Sequence, residues 1–428
     1  MKQTIQNSKF KIVELLRWSE QYTQTDMVYL ARGGFWLTAL QVVGAGSALV
    51  LSIIFANYFP KHEFGVYKYA ISLSGILGAI SLTGIGVALT RSVAKGINGS
   101  LIDAFWINLK WSGAMSLSAI VGAIYFYLNS NATLGLSLAV IAIINPIVNS
   151  LSLYGSFLAG KGDFRTLSAY GFWRNVLPTG ALIAVILVTD SVLAIVATYF
   201  LSNLIINLAL YLATVRKYLI SKERDVGMES YAKHLSLMNV LGVIAEHLDK
   251  IIVFQYVGAV ELAVYTFATA IPTQIKGSIK SLYQLAFPKF ANRELSDLRK
   301  DMPGKLLKMV LVTLPIVLIY IILAPFIFKI IFPAYIEAVP YSQIFSLSLL
   351  FYSSLLINTA MQSKGMVETL YYSSVATAIG KILTISIFSL LFGLWGVIIA
   401  RVVNELLSLL INSYLFWKKQ SYLNHTLT

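Results

Sequence analysis

Uncharged apolar runs of about 20 residues recur along this chain, and their length constrains the fold more than any other feature. A helix that long crosses the hydrocarbon of a bilayer, whereas a barrel strand needs about ten residues of alternating polarity. These runs do not alternate, so the expectation is an all-α integral membrane protein. Composition agrees. Of 428 residues, 57% are hydrophobic and only 12% are charged, about half the charge of a soluble chain.

Twelve candidate spans follow: 35–58, 67–89, 109–128, 134–158, 172–188, 192–213, 235–256, 263–287, 306–332, 339–361, 370–392 and 395–417. The fifth is interrupted by Pro178 and Gly180. Lys and Arg fall into one set of alternate loops, around Arg91 and Lys95, Lys161 and Arg165, Arg216 to Lys233, Lys289 to Lys305, Lys364, and Lys418 and Lys419. The other set holds little beyond Lys61. By the positive-inside rule both termini lie in the cytoplasm. That bias accounts for the net charge of +14 without a nucleic-acid partner. Charges among the first thirty residues do not fit a cleavable signal peptide. Residues 10–18 read either as an interfacial amphipathic helix or as a plain cytoplasmic tail.

The chain also repeats itself. At an offset of 198 positions, 42–91 aligns without gaps on 240–289: Tyr58 meets Tyr256, Glu63 meets Glu261, Val66-Tyr67 meets Val264-Tyr265, and Ala70 meets Ala268. Repeats of this kind divide a chain into like units. Six spans per unit give both halves the same orientation, related by a pseudo-twofold axis along the membrane normal, with a cavity between them. The expected organisation is an N-terminal segment 1–34, a six-helix bundle 35–214, a cytoplasmic linker 215–234, a second six-helix bundle 235–417 and a tail 418–428.

A charge inside a span costs about 2.5–3.5 kcal/mol on insertion scales, so it needs a partner, a cavity or a purpose. The seventh span holds Glu246, His247, Asp249 and Lys250, with Glu246, Asp249 and Lys250 on one helical face. Their counterparts in the repeat are Ala48, Leu51 and Ser52. The halves therefore differ where polarity enters, and that difference points to a site. Glu246 and Asp249 are candidates for coupling to a proton or Na⁺; the plainer alternative is a self-neutralising Glu246–Lys250 pair. Lys250, Lys381 and Arg401 are candidates for a cationic cavity wall facing an anion such as phosphate. Arg401 also has Glu405 four residues on, the spacing of an intrahelical salt bridge. Arg174 and Lys68 complete the cationic set, and their positions near span ends also suit snorkelling.

No metal, cofactor or catalytic residue is expected. Cysteine is absent, four histidines are scattered, and there is no phosphate-binding glycine loop or nucleophile elbow. The outward loops are too short for an external catalytic face, which disfavours a membrane enzyme such as a glycan polymerase or glycosyltransferase.

The run Glu63-Phe-Gly-Val-Tyr67, the close of the second span at Gly84-Ile-Gly-Val-Ala-Leu-Thr-Arg91, the run Leu248-Asp-Lys-Ile-Ile-Val253 and the segment Phe332-Pro-Ala-Tyr-Ile-Glu-Ala-Val-Pro340 resemble the Wzx-type polysaccharide flippases. Their superfamily also holds multidrug extruders and lipid II flippases. The resemblance covers roughly 31–417. It implies two six-helix bundles, alternating access in the bacterial inner membrane and an undecaprenyl-diphosphate-linked oligosaccharide as substrate. A polysaccharide polymerase and a chain-length regulator are the implied partners, besides membrane lipids. An ion-coupled small-molecule extruder is the alternative.

Overall fold

The computed structural model describes residues 27–218, 223–284 and 286–418. The expectation for 10–18, and all of the tail beyond Lys418, lie outside the described residues. Everything regular among the described residues is helix. Seven stretches are long and apolar enough to cross a membrane. One of these, Val367–Trp417, is two spans: it folds back at Gly393, whose φ of +55° and ψ of −133° only glycine adopts readily. The reversal brings Asn404 Nδ2 within 2.7 Å of Thr384 Oγ1 and joins Ser373 to Asn412. With the more polar second, fifth, seventh and eighth spans, the chain makes twelve membrane helices in two lobes.

Several boundaries differ from expectation. The second span begins at Lys61, not at 67, because Pro60 fits just ahead of a first helical turn. It then breaks, as Lys61–Gly78 and Ile85–Ala94, around a turn near Ser81. The fifth runs unbroken through Pro178 from Phe164 to Ile186. Asp163 caps it, accepting from the Thr166 amide at 3.0 Å. The seventh starts at Met228 and the ninth at Leu295, so much of both charged connectors is helix. The tenth is the most divided, a 3₁₀ turn at Pro333–Ala338 followed by three short helices.

The bundles meet differently at their two ends. At the short-loop end they are locked together. Lys61 pairs with Glu337 at 2.6 Å, Asn57 Nδ2 donates to the Ile331 carbonyl at 3.2 Å, and Phe64 stacks on Phe267 with centroids 5.0 Å apart. Gly65 allows the closest approach, since a Cβ there would sit 1.8 Å from the Ala259 carbonyl oxygen. A large aromatic core including Phe55, Phe64, Phe332 and Tyr335 fills this end.

At the long-loop end the start of the seventh span docks on the first bundle. The Gly84 amide donates to Ser236 Oγ at 2.8 Å, Ser92 Oγ to Asp225 at 2.5 Å, and Trp111 Nε1 to Glu229 at 3.1 Å. Asp103 and Arg224 add an exposed ion pair at 3.4 Å. The seventh span packs on the second span along its length, with Phe254 stacked on Tyr69 at 3.9 Å near its far end, while its other side meets the second bundle.

Candidate functional site

The polar patch of the seventh span lies where the bundles part. Asp249 is buried, and both its oxygens are engaged. Oδ2 accepts from Tyr265 of the eighth span at 2.5 Å and from Arg401 Nη1 of the twelfth at 2.9 Å. Oδ1 accepts from the Lys250 amide at 2.9 Å. A buried carboxylate is tolerable only with this degree of pairing and hydrogen bonding. The arrangement ties three helices of the second bundle together.

A second buried pair lies nearby. Lys276 of the eighth span meets Glu405 of the twelfth at 2.6 Å, with its ammonium 5.0 Å from the Phe345 ring centre. Arg401 faces the same ring at 5.6 Å. Arg401 therefore does not take the i+4 partner its sequence offers. It crosses to Asp249, and Glu405 goes to Lys276.

Three voids adjoin this cluster, of about 310, 470 and 530 Å³, and Glu246 lines all of them. The largest lies between the bundles, with Ala48 and Ser52 on the first span, Lys68 on the second, Lys250 on the seventh and Lys381 on the eleventh in its wall. The 470 Å³ void extends along Met238 to Gly242, toward the long-loop end, and the 310 Å³ void lies between the seventh, eleventh and twelfth spans, lined by Ala245, Thr377 and Asn404. Lys68, Lys250 and Lys381 have no acid partner among the described residues, while Arg401 and Lys276 are neutralised. The Lys68 ammonium rests over the Phe64 and Tyr67 rings at 5.1 and 5.5 Å and feels the charge of Lys250 across the space.

Six of the seven residues singled out in the sequence thus gather at one place: Lys68, Glu246, Asp249, Lys250, Lys381 and Arg401. Two expectations need correction. Lys68 is not near a span end, because the second helix starts two turns earlier. Arg174 stands apart on the exposed side of the fifth span, beside Tyr154 of the fourth, and is not among the residues lining these voids. The local Glu246–Lys250 pair does not form: both side chains line the largest void, with no ion pair between them. Lys276 and Tyr265 were missed. A lysine in the middle of an apolar helix was itself the signal for the first; nothing local marks the second.

Outside the membrane spans, two carboxylates are well satisfied. Burial pushes the Asp163 carboxyl up, but hydrogen bonds from Tyr218, Thr166 and Lys217 outweigh it and hold the group well below the usual range. Asp225 is lowered as well, first by the bond from Ser92. Both act as ties between helix ends.

A family model described as "Polysaccharide biosynthesis protein" matches residues 30–294. No curated protein matches the chain. Solved structures share its fold at low identity. One is described as lipid II flippase MurJ in an inward closed conformation, 15% identical, covering 90% of this chain and 87% of that one with a TM-score of 0.57. Another is an inward-facing multidrug resistance MATE family transporter of the MOP superfamily, 13% identical, covering 87% and 93% with a TM-score of 0.61. A third is a MOP superfamily transporter from Pyrococcus furiosus whose description notes a binding pocket of reverse polarity, 13% identical, covering 90% and 94% with a TM-score of 0.58.

Proposed function

The chain belongs to the polysaccharide biosynthesis protein family, and from that premise we propose that it is a flippase. It moves a polyprenyl-diphosphate-linked oligosaccharide repeat unit across the bacterial inner membrane by alternating access, with both termini in the cytoplasm, and does no covalent chemistry. The units that move are the bundles 35–214 and 235–417.

One observation carries the reading. Lys68, Lys250 and Lys381 reach one inter-bundle cavity from both halves, none with an ion-pair partner among the described residues and with Glu246 the one unpaired acid beside them. Three unpaired ammonium groups in a low-dielectric space favour a multiply charged anion, and a diphosphate carries suitable charge on closely spaced oxygens. Hydrogen bonds to charged groups contribute roughly 1.5–3 kcal/mol each. The closed short-loop end and the void running along Met238 to Gly242 toward the basic loops suit a site loaded from the cytoplasmic side.

The two acids differ as coupling candidates. Asp249 must first release Arg401 and Tyr265 to take up a proton or Na⁺. Glu246 is exposed to the cavity and has no ion-pair partner among the described residues, so it is the readier of the two. Cation extrusion is the weaker reading, because unpaired lysines outnumber unpaired acids in the largest void.

Deleting the gene and analysing the membrane lipids tests the proposal. The expected result is an undecaprenyl-diphosphate-linked oligosaccharide accumulating in the cytoplasmic leaflet. Unchanged surface glycan with altered drug sensitivity overturns it in favour of an extruder.

A further inference from the structure

The part of the cavity wall that the eighth span supplies carries no free charge and yet is polar. Thr266, Thr269, Thr273 and Gln274 of the eighth span all line it. Their spacing places them on one helical face, which extends about 12 Å at 1.5 Å per residue. The repeat offset sets Lys68, Ile71, Gly75 and Ile76 of the second span against them. The second span therefore offers one ammonium to the cavity, whereas the eighth offers a ladder of neutral hydrogen-bonding groups.

The chemistry of that ladder is specific. Thr266 Oγ1 donates to the Leu262 carbonyl at 2.8 Å and Thr269 Oγ1 to the Tyr265 carbonyl at 2.9 Å. Both hydroxyl protons are committed to the helix backbone, which leaves oxygen lone pairs for an incoming donor. Thr273 and Gln274 are exposed and line the cavity, and their side chains have no hydrogen bond to another described side chain. Polar side chains within a membrane face a water-filled or ligand-filled space, since hydrocarbon leaves them unsatisfied. Acceptor-only hydroxyls do not suit a phosphate oxygen, which also accepts. They suit groups that donate, such as sugar hydroxyls and acetamido N–H groups.

We infer that this face of the eighth span reads the sugar units next to the diphosphate, while Lys68, Lys250 and Lys381 hold the diphosphate itself. The inference rests on the flippase reading and assigns specificity to residues outside the charged cluster. Removing their hydrogen bonds selectively weakens glycan-bearing ligands.

The test compares two probes on the full-length chain in nanodiscs: undecaprenyl diphosphate, and undecaprenyl diphosphate bearing one N-acetylhexosamine. Thr266→Val combined with Thr269→Val removes both acceptor hydroxyls and nearly preserves shape. The sugar-bearing probe is expected to bind about tenfold more weakly to the double variant, which is about 1.4 kcal/mol, and the sugar-free probe unchanged. Thr266→Ser with Thr269 intact keeps the hydroxyl and retains wild-type binding of both. Equal weakening of both probes, or no change in either, overturns the sugar-reading face and leaves the flippase reading standing. A wild-type chain that binds neither probe overturns both.

Discussion

Ala48 and Ser52 on the first span stand where Glu246 and Lys250 stand on the seventh, and all four line the same void. The scaffold is shared between the bundles, but the work is divided. On the first bundle this position is small and neutral, leaving room. On the second it is charged and continuous with the Asp249–Arg401 pair. The second and eighth spans divide the labour in the opposite sense, with Lys68 facing Thr266 at equivalent positions. The two walls thus share a repeat register, with ammonium groups on both and a row of neutral hydrogen-bonding groups on one.

The sharpest way to break this comparison is to remove its charged centre. Arg401→Met strands a buried carboxylate, which costs about 3–5 kcal/mol. Thermal unfolding of the purified protein should show a large loss that Asp249→Asn in the same chain largely restores. Equal stability of the single and double variants would mean that the pair is not what holds the three helices together.

The next largest effect belongs to the seam at the short-loop end. Gly65→Ala drives a Cβ into the Ala259 carbonyl, and overpacking of this kind costs about 1–3 kcal/mol. Spin-label distances between the first-bundle and tenth-span sides of that end should lengthen as the closed arrangement loses population. An unchanged distance distribution would show that the seam yields locally instead.

Neutralising the lysines one at a time tests the division of labour. Lys68→Met, Lys250→Met and Lys381→Met should each weaken undecaprenyl diphosphate binding, on the order of tenfold for the loss of one charged hydrogen bond. Exchange across the repeat sharpens the point. Ser52→Lys with Lys250→Ser preserves cavity charge and should recover part of the affinity lost by Lys250→Ser alone. No recovery would mean that the two positions are equivalent in sequence register but not in the cavity.

The smallest effect concerns the docking of the seventh span on the first bundle. The Asp225 carboxyl is held below its usual range by Ser92. A carboxylate lowered by folding stabilises the native state fully above its unfolded value, about 4, and loses that contribution as pH falls through the lowered folded value. Acid titration of stability should therefore show a small drop below about pH 4 that Ser92→Ala reduces. A drop that begins near neutral pH would implicate other groups.

Much of this was legible without coordinates because membrane insertion is a strong filter. Unsatisfied backbone is excluded from hydrocarbon, so run length alone dictates helices, and a mid-span charge advertises a cavity or a partner. The repeat offset and the charge asymmetry between 48–52 and 246–250 were visible for that reason. Pairing was not. Arg401 has Glu405 at helical spacing, yet the structure gives it to Asp249, because helix-to-helix distances decide which acid is nearer in a dry interior. Lys68 read as a residue at a helix end until Lys61 proved to start the span.

The amino-acid order by itself determined twelve helices in two like halves and the set of charged residues inside them, since length, hydropathy and repeat register are properties of the chain. Only the tertiary structure decided that Lys68, Lys250 and Lys381 stay unpaired in one cavity while Asp249, Arg401, Lys276 and Glu405 neutralise one another. The reason is physical: partner choice among buried charges depends on distances of a few ångströms between helices far apart in sequence, and at low dielectric those distances outweigh every local preference.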